Sequence, residues 1–146
     1  MNLKGISLLA ITTTLIACGG SSGGVGSKAG AQQTYDEALS LNDDQASAQR
    51  ISKHAKVRGS LTEGVDMIDF YRIDLSETFR MTITLDSGHG FALHLEEING
   101  IVSTTAPVVN GIRKTQRTLD AGTYFISVFS TSGTGEYILE LVPEAP

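Results

Sequence analysis

Residues 119–128 read Leu119-Asp120-Ala121-Gly122-Thr123-Tyr124-Phe125-Ile126-Ser127-Val128. An Asp-Ala-Gly turn signal runs straight into a segment whose apolar side chains alternate. Tyr124, Ile126 and Val128 share one parity, and Phe125 and Phe129 take the other. Side chains of an extended strand point to opposite faces in turn, so this period of two predicts a strand with one face buried. The same period recurs on either side. Tyr71, Ile73 and Leu75 alternate with Arg72 and Asp74; Met81, Ile83 and Leu85 alternate with Thr82 and Thr84. Phe91, Leu93 and Leu95 follow, and Tyr137, Leu139 and Leu141 close the series. Turn signals separate the runs: Asp86-Ser87-Gly88, Asn99-Gly100, Asn110-Gly111 and Ser132-Gly133-Thr134-Gly135. Asn99-Gly100 predicts a tight hairpin, because a type I′ turn needs positive φ at both central residues. About seven or eight short strands without a long helical pattern predict an all-β antiparallel sandwich, since one open sheet would leave an apolar face uncovered. Asp36 to Ile51 is polar with scattered Ala and Leu, and either forms a helical turn or lies extended along the sandwich.

Size and charge narrow the function. The chain has 146 residues, of which 128 (146 minus 18) follow Cys18, enough for one domain and too few for two. Eleven basic against sixteen acidic residues give a net charge of -5, with no basic run to attract nucleic acid. The single Cys excludes an internal disulfide and a multi-Cys zinc site.

That Cys stands in an informative place. Met1 to Cys18 reads MNLKGISLLAITTTLIAC: a short positive start at Lys4, then an uncharged apolar stretch too short for a transmembrane helix and suited to a signal peptide. Leu15-Ile16-Ala17-Cys18 resembles the lipobox of bacterial lipoproteins. The resemblance implies cleavage before Cys18, lipidation of Cys18 and a membrane as partner, several acyl chains being needed for stable anchoring. Gly19 after the Cys, in place of Asp, implies the outer membrane, with the periplasmic and outer faces both open. Residues 19–31 read GGSSGGVGSKAGA, a flexible tether. From Cys18 to Leu39 its r.m.s. reach is roughly 25 Å, from about 5–6 Å times the square root of residue number. The expected organisation is a signal peptide over 1–17, acylated Cys and tether over 18–39, and the sandwich over 40–146. Gly19-Gly20-Ser21-Ser22-Gly23 fits a nucleophile-elbow pattern and Gly24 to Ala29 a dinucleotide pattern. Neither lies between a strand and a helix, and Gly-rich sequence produces such matches freely.

The ordered set Val57-Arg58-Gly59-Ser60-Leu61, Asp66-Met67-Ile68-Asp69-Phe70-Tyr71, Ala121-Gly122-Thr123-Tyr124-Phe125-Ile126 and Gly135-Glu136-Tyr137-Ile138-Leu139 is similar to the bacterial pre-peptidase C-terminal domain. The resemblance spans roughly residues 40–142 and implies a jelly-roll-like sandwich used as an accessory binding piece of secreted hydrolases. Some members bind calcium through an N-terminal "E-P-N-N/D" segment and acidic residues near "D-x-D-x-Y". Here the first aligns with Ser40-Leu41-Asn42-Asp43, with Ser40 in place of the Glu, and the second with Asp66 to Tyr71 at altered spacing. The resemblance thus implies Asn42, Asp43, Asp66 and Asp69 as calcium ligands. The other reading is that Asn42-Asp43-Asp44 caps a turn and the two later Asp residues are loop residues.

Tyr71 and Tyr124 lie in the apolar stripes and are expected in the core with their hydroxyls at a sheet end. Phe70, Phe125 and Phe129 have the opposite parity. Exposed, they mark a binding face; otherwise a loop such as 103–110 covers them. His54, His89 and His94 are scattered, and each reads as a solvated histidine. Glu96 and Glu97 are strand neighbours pointing to opposite faces, so they form no acid/base pair. The expectation is a non-catalytic, lipid-anchored module binding protein or polysaccharide. The alternatives are a small hydrolase or metal-dependent enzyme, which needs Ser, His and Asp to meet, and a chaperone or inhibitor of a secreted protease.

Overall fold

The computed structural model describes residues 30–38, 41–98, 108–109, 111–130 and 132–144. Cys18 and its lipobox, residues 19–29 of the tether, Ser40, the Asn99-Gly100 turn and residues 101–107 lie outside them. Ten strands follow one another: β1 (Gln33–Asp36), β2 (Gln49–Arg50), β3 (Ala55–Leu61), β4 (Ile68–Leu75), β5 (Phe79–Ser87), β6 (Phe91–Glu97), β7 (Val108–Val109), β8 (Ile112–Leu119), β9 (Gly122–Ser130) and β10 (Gly135–Glu144). No helix occurs among the described residues, and none there is long and apolar enough to cross a membrane. Among its described residues, segment 36–51 forms no helix: β1 ends at Asp36 in one sheet, residues 45–47 make a turn, and β2 begins at Gln49 in the other sheet.

The strands form two sheets. One has the order β1-β3-β10-β5-β8-β7 and the other β2-β4-β9-β6. The seven long strands pair antiparallel, as the alternation predicts. β1 against β3 and β2 against β4 are parallel, a correction to a purely antiparallel sandwich. Both short strands come from one segment that changes sheets, so no tight hairpin fixes their direction. β1 also brings the sheet's start to Gln33, seven residues ahead of the boundary expected at residue 40.

The inner faces are the apolar parity of each run. Tyr71, Ile73 and Leu75 of β4 oppose Tyr124 and Ile126 of β9, in the register Tyr71 with Ile126 and Ile73 with Tyr124. Met81, Ile83 and Leu85 of β5 lie beside Leu139 and Leu141 of β10. All of these are buried in one continuous core that also takes in Val57, Leu61, Phe91, Leu93, Leu95 and Val128. β8 departs from the pattern. Its inward positions against β5 are Arg113, Thr115 and Arg117, opposite Leu85, Ile83 and Met81. Arg113 is half-buried and its Nε–H donates to the Phe91 carbonyl of β6 in the other sheet, while Arg117 is exposed, so this strand carries no apolar row.

The sandwich has two poles. Gly30, whose carbonyl meets the His54 ring, lies where β3 begins. The β3–β4 turn, the start of β4 and the β9–β10 turn lie at the other pole. There the Glu63 N–H donates to Thr134 Oγ1 at 3.0 Å, and the Gly133 N–H to Glu63 Oε2 at 3.1 Å.

Candidate metal centre

Three chain segments converge at the second pole. The first leaves β1. The Glu37 N–H donates to the Arg58 carbonyl at 2.8 Å, extending the parallel pairing by one residue, and Glu37 Oε2 accepts from the Ser60 N–H at 2.5 Å. The second carries Asn42, whose carbonyl accepts the Phe70 N–H at 2.7 Å and so pins it beside the start of β4. The third is the turn between β3 and β4. Thr62 and Asp66 exchange backbone bonds of 2.7 and 2.9 Å, and Gly64 supplies the positive φ of 74° that closes the turn. Asp69, one residue into β4, has the parity of Tyr71 and Ile73. It therefore points between the sheets, where an apolar residue is the rule.

The side chains meet. One carboxylate oxygen each from Glu37, Asp66 and Asp69 lie within 4.8 Å of one another. Asn42 and Asp69 are 0% exposed, and Glu37 and Asp66 are half-buried. Asp69 Oδ2 accepts from the Tyr137 hydroxyl at 2.5 Å, and that hydroxyl also bonds to the Tyr71 hydroxyl. The Asn42 side chain lies close enough to Tyr71 to act on its hydroxyl. Glu37 Oε1, Asn42 Oδ1, Asp66 Oδ1 and Asp69 Oδ1 are buried and accept no hydrogen bond from an N–H or hydroxyl, and the Glu37 and Asp69 carboxyls lie close enough to share a proton. A buried polar atom left unsatisfied costs about 1–3 kcal/mol, more when charged, so four at one place need an explanation.

Electrostatics give the same picture. Burial pushes the Asp69 carboxyl up to about 8, with repulsion from Glu37 and Asp66 adding to it and the Tyr137 hydrogen bond opposing. Burial likewise raises Glu37, with the Asp66 charge adding, and raises Asp66, with the Asp43 charge adding. The Tyr71 and Tyr137 hydroxyls are held far above their ordinary value, chiefly by burial. The cluster therefore favours either a bound proton or a bound cation. Four hard oxygens suit calcium, which takes six to eight oxygen ligands, and nothing in the set is the soft donor that zinc prefers.

Of the residues named from sequence, Asn42, Asp66 and Asp69 come together here. Asp43 is exposed and stands at the solvent side, near enough to act on Asp66. Sequence reasoning missed Glu37. The aligned Glu position falls on Ser40, and the carboxylate comes instead from three residues upstream, carried in by β1. The available signal was a Glu in the same polar segment ahead of Asn42-Asp43.

The aromatic candidates lie elsewhere, on the outer face of the four-stranded sheet. Phe125 is 5% exposed, so it is no open contact surface, and Phe70 and Phe129 are half-buried. Gln45 Nε2 donates to Glu96 Oε2 at 2.7 Å, which draws residues 43–47 across this face, because Glu96 is the register partner of Phe125. His94 packs edge-on to Phe129, ring centroids 4.9 Å apart. The other histidines are remote from it and from each other. His54 is at the pole where β3 begins, and His89 is at the opposite pole, stacked on Phe91.

No family model matches the chain, and no curated protein matches it. Among solved structures it is similar to the pre-peptidase C-terminal domain of collagenase from Bacillus anthracis, with 21% identity and a TM-score of 0.61 over 65% of this chain and 94% of that one. It also resembles PliG of Salmonella Typhimurium, a periplasmic inhibitor of g-type lysozyme, with 17% identity and a TM-score of 0.46 over 66% of this chain and 99% of that one. The first likeness shows the fold: this chain has the β-sandwich of a pre-peptidase C-terminal domain. The second is too distant to add to it.

Proposed function

We propose that the chain is a non-catalytic binding module, loaded with calcium at Glu37, Asn42, Asp66 and Asp69. A lipid on Cys18 holds it at the bacterial outer membrane, where it presents its sandwich to a protein or polysaccharide. The observation that carries the calcium reading is the meeting of Glu37, Asp66 and Asp69, one carboxylate oxygen of each within 4.8 Å of the others, where buried oxygens of these residues and of Asn42 lack an N–H or hydroxyl donor. The anchor rests on the lipobox and the Gly/Ser tract. The cation's role on this reading is to order the fold. It neutralises carboxylates that otherwise repel one another, and it joins the segment after β1, the Asn42 segment and the start of β4. The Tyr137 hydroxyl and the Ser60 N–H keep the second oxygen of Asp69 and of Glu37 fixed, so the first oxygens are presented in place.

A thermal melt of residues 19–146 in chelator and then in calcium tests this. The buried core cluster runs from Ile51 to Leu141 with Tyr35 packed against it, so residues 19–146 keep every described core residue. Calcium at about 100 times its dissociation constant adds about 2.7 kcal/mol. Spread over about 2.1 cal/mol/K per residue, that is a rise of roughly 10–15 °C. Asp69→Asn abolishes the rise. A wild-type melt unmoved by millimolar calcium overturns the reading. For the anchor, Cys18→Ala in the full chain shifts the protein out of the membrane fraction without changing the domain's melt.

A further inference from the structure

The outer face of the six-stranded sheet is hollowed at the cluster's end. A groove of about 630 Å³ opens there over β1, β3, β10 and β5, and it shares Glu37 and Tyr137 with the cluster. The register sets its lining. Asp36, Arg58, Ile138 and Asp86 stand opposite one another in one row across the four strands, and Glu136 faces Ser60 one row nearer the pole. Their parity is opposite to that of the buried Val57, Tyr137 and Leu85, so these side chains point away from the core. Asp36, Asp86 and Glu136 are exposed, and their carboxylates make no ion pair or hydrogen bond among the described residues. The exposed Arg58 guanidinium makes none there either. Three free carboxylates thus face one guanidinium, a net charge of -2 (1 minus 3). We infer that this groove seats an extended, Lys- or Arg-bearing peptide segment of a partner protein. The inference rests on the binding-module reading above and names the partner; it does not need the calcium.

Shape and charge together select that occupant. A single ion is far too small for the volume, which falls in the range of ligand clefts. A sugar face is held by an open aromatic ring, and the groove offers none, Tyr137 being 2% exposed. An anionic ligand is repelled by the net negative charge. A basic segment meets each part of the lining. Its ammonium or guanidinium heads donate to Asp36, Asp86 and Glu136, and its methylene stems lie on the half-buried Ile138. The Arg58 guanidinium, a donor only, serves its main-chain carbonyls. Spacing fits as well. Three strand spacings of about 4.8 Å put Asp36 and Asp86 about 14 Å apart across the sheet, the span of four residues of extended chain at about 3.4 Å each. Side chains four apart in an extended segment point the same way, so one peptide lying across the strands offers a cation to both walls. The next row toward the other pole holds Lys56, Glu140, Thr84 and Lys114, which sum to one positive charge and keep the segment from turning down the strands.

The test is an NMR titration of isotope-labelled residues 19–146 with the amidated peptide Lys-Gly-Ser-Gly-Lys at physiological salt, in calcium and in EGTA, alongside the melt. The expected result is a saturable shift of the amide signals of residues 58–60, 86–88 and 136–138 and of few others. The Asp86→Asn, Glu136→Gln double variant binds at least about threefold more weakly, two exposed ion pairs being lost. Glu77→Gln, Glu144→Gln, with the same charge removed at the other pole, binds as wild type does. Equal weakening by both double variants refutes the inference, since bulk charge alone would then hold the peptide. So does the absence of saturable shifts, or shifts as large with Glu-Gly-Ser-Gly-Glu. Shifts of these signals with maltotetraose and none with the lysine peptide would give the groove to a polysaccharide and overturn it too. A thermal rise in calcium without peptide shifts refutes the inference alone. Peptide shifts without a thermal rise support it and refute only the calcium reading.

Discussion

In the absence of metal, this protein is expected to lose stability as pH rises from 5 to 7. Asp69 is the cause. Its carboxyl is held at about 8 in the fold against 3.8 for the free group, so between those values the native state binds a proton that the unfolded chain does not. Stability is then fully present below pH 3.8 and is lost as pH climbs toward 8. One group fully in this regime changes stability by 1.36 kcal/mol per pH unit, an upper bound of about 2.7 kcal/mol across two units. Relaxation of the pole around a forming charge reduces this to about 1.5–2.7 kcal/mol. The folded span 33–144 unfolds with an entropy of about 0.24 kcal/mol/K, so Tm falls by about 6–11 °C. Glu37 and Asp66 are raised too and act in the same direction. Asp44, held low by hydrogen bonds from Ser47, and Asp74, held low by Thr123 and Arg72, act oppositely but only in more acid solution. The assay is a set of melts in EGTA at pH 5, 6 and 7. Asp69→Asn removes most of the slope and at pH 7 is more stable than wild type. Saturating calcium inverts the wild-type slope, since the cation takes the deprotonated cluster. A wild-type Tm that is level or rising from pH 5 to 7 in EGTA refutes the reasoning, because the carboxyl would then titrate as a solvated one.

Three other substitutions probe the frame around the site. A Cβ at Gly59 would stand 2.3 Å from Cζ of Tyr137, whose hydroxyl is fixed by Tyr71 and Asp69; Gly59→Ala is expected to cost about 1–3 kcal/mol in urea unfolding and to weaken the calcium response. Tyr137→Phe removes the donor to Asp69 and a partner of Tyr71, with an expected loss of about 1–3 kcal/mol in EGTA at pH 7, read by the same unfolding. Ile83→Ala empties a fully buried position in β5 and should cost about 2–5 kcal/mol while leaving the calcium increment unchanged.

The long strands were legible because each must place an apolar row inward, and a period of two is the direct imprint of that. Tyr71, Ile73 and Leu75, or Tyr137, Leu139 and Leu141, announce their face without any knowledge of the partner strand. β8 was harder to see, since its inward parity holds Arg113, Thr115 and Arg117 and leaves no apolar row to read. β1 was not legible at all. Its four residues, Gln33 to Asp36, are an edge strand with a single partly buried position, Tyr35, and its pairing with β3 is made across nearly twenty residues. Glu37 was lost with it, because its place in the cluster is set by that pairing and not by its spacing from Asn42. Asp69 could be named as acidic but not as buried. Its parity with Tyr71 held that information, and it conflicts with the chemistry of a carboxylate unless something compensates the charge.

The parallel pairing of β1 with β3 has a mechanical side. In a chain held at its N-terminus, tension enters through Gly30 and runs along β1 toward the far pole. The four register pairs from Gln33 with Ala55 to Asp36 with Arg58 then lie side by side along the pulling direction. They are loaded in shear and must yield together, unlike a hairpin that unzips one bond at a time. Glu37 sits just beyond them, where a cation shared with Asp66 and Asp69 would act as a rivet at the end of the lap joint. The force the domain bears before its first strand slides free would then follow the calcium concentration around it.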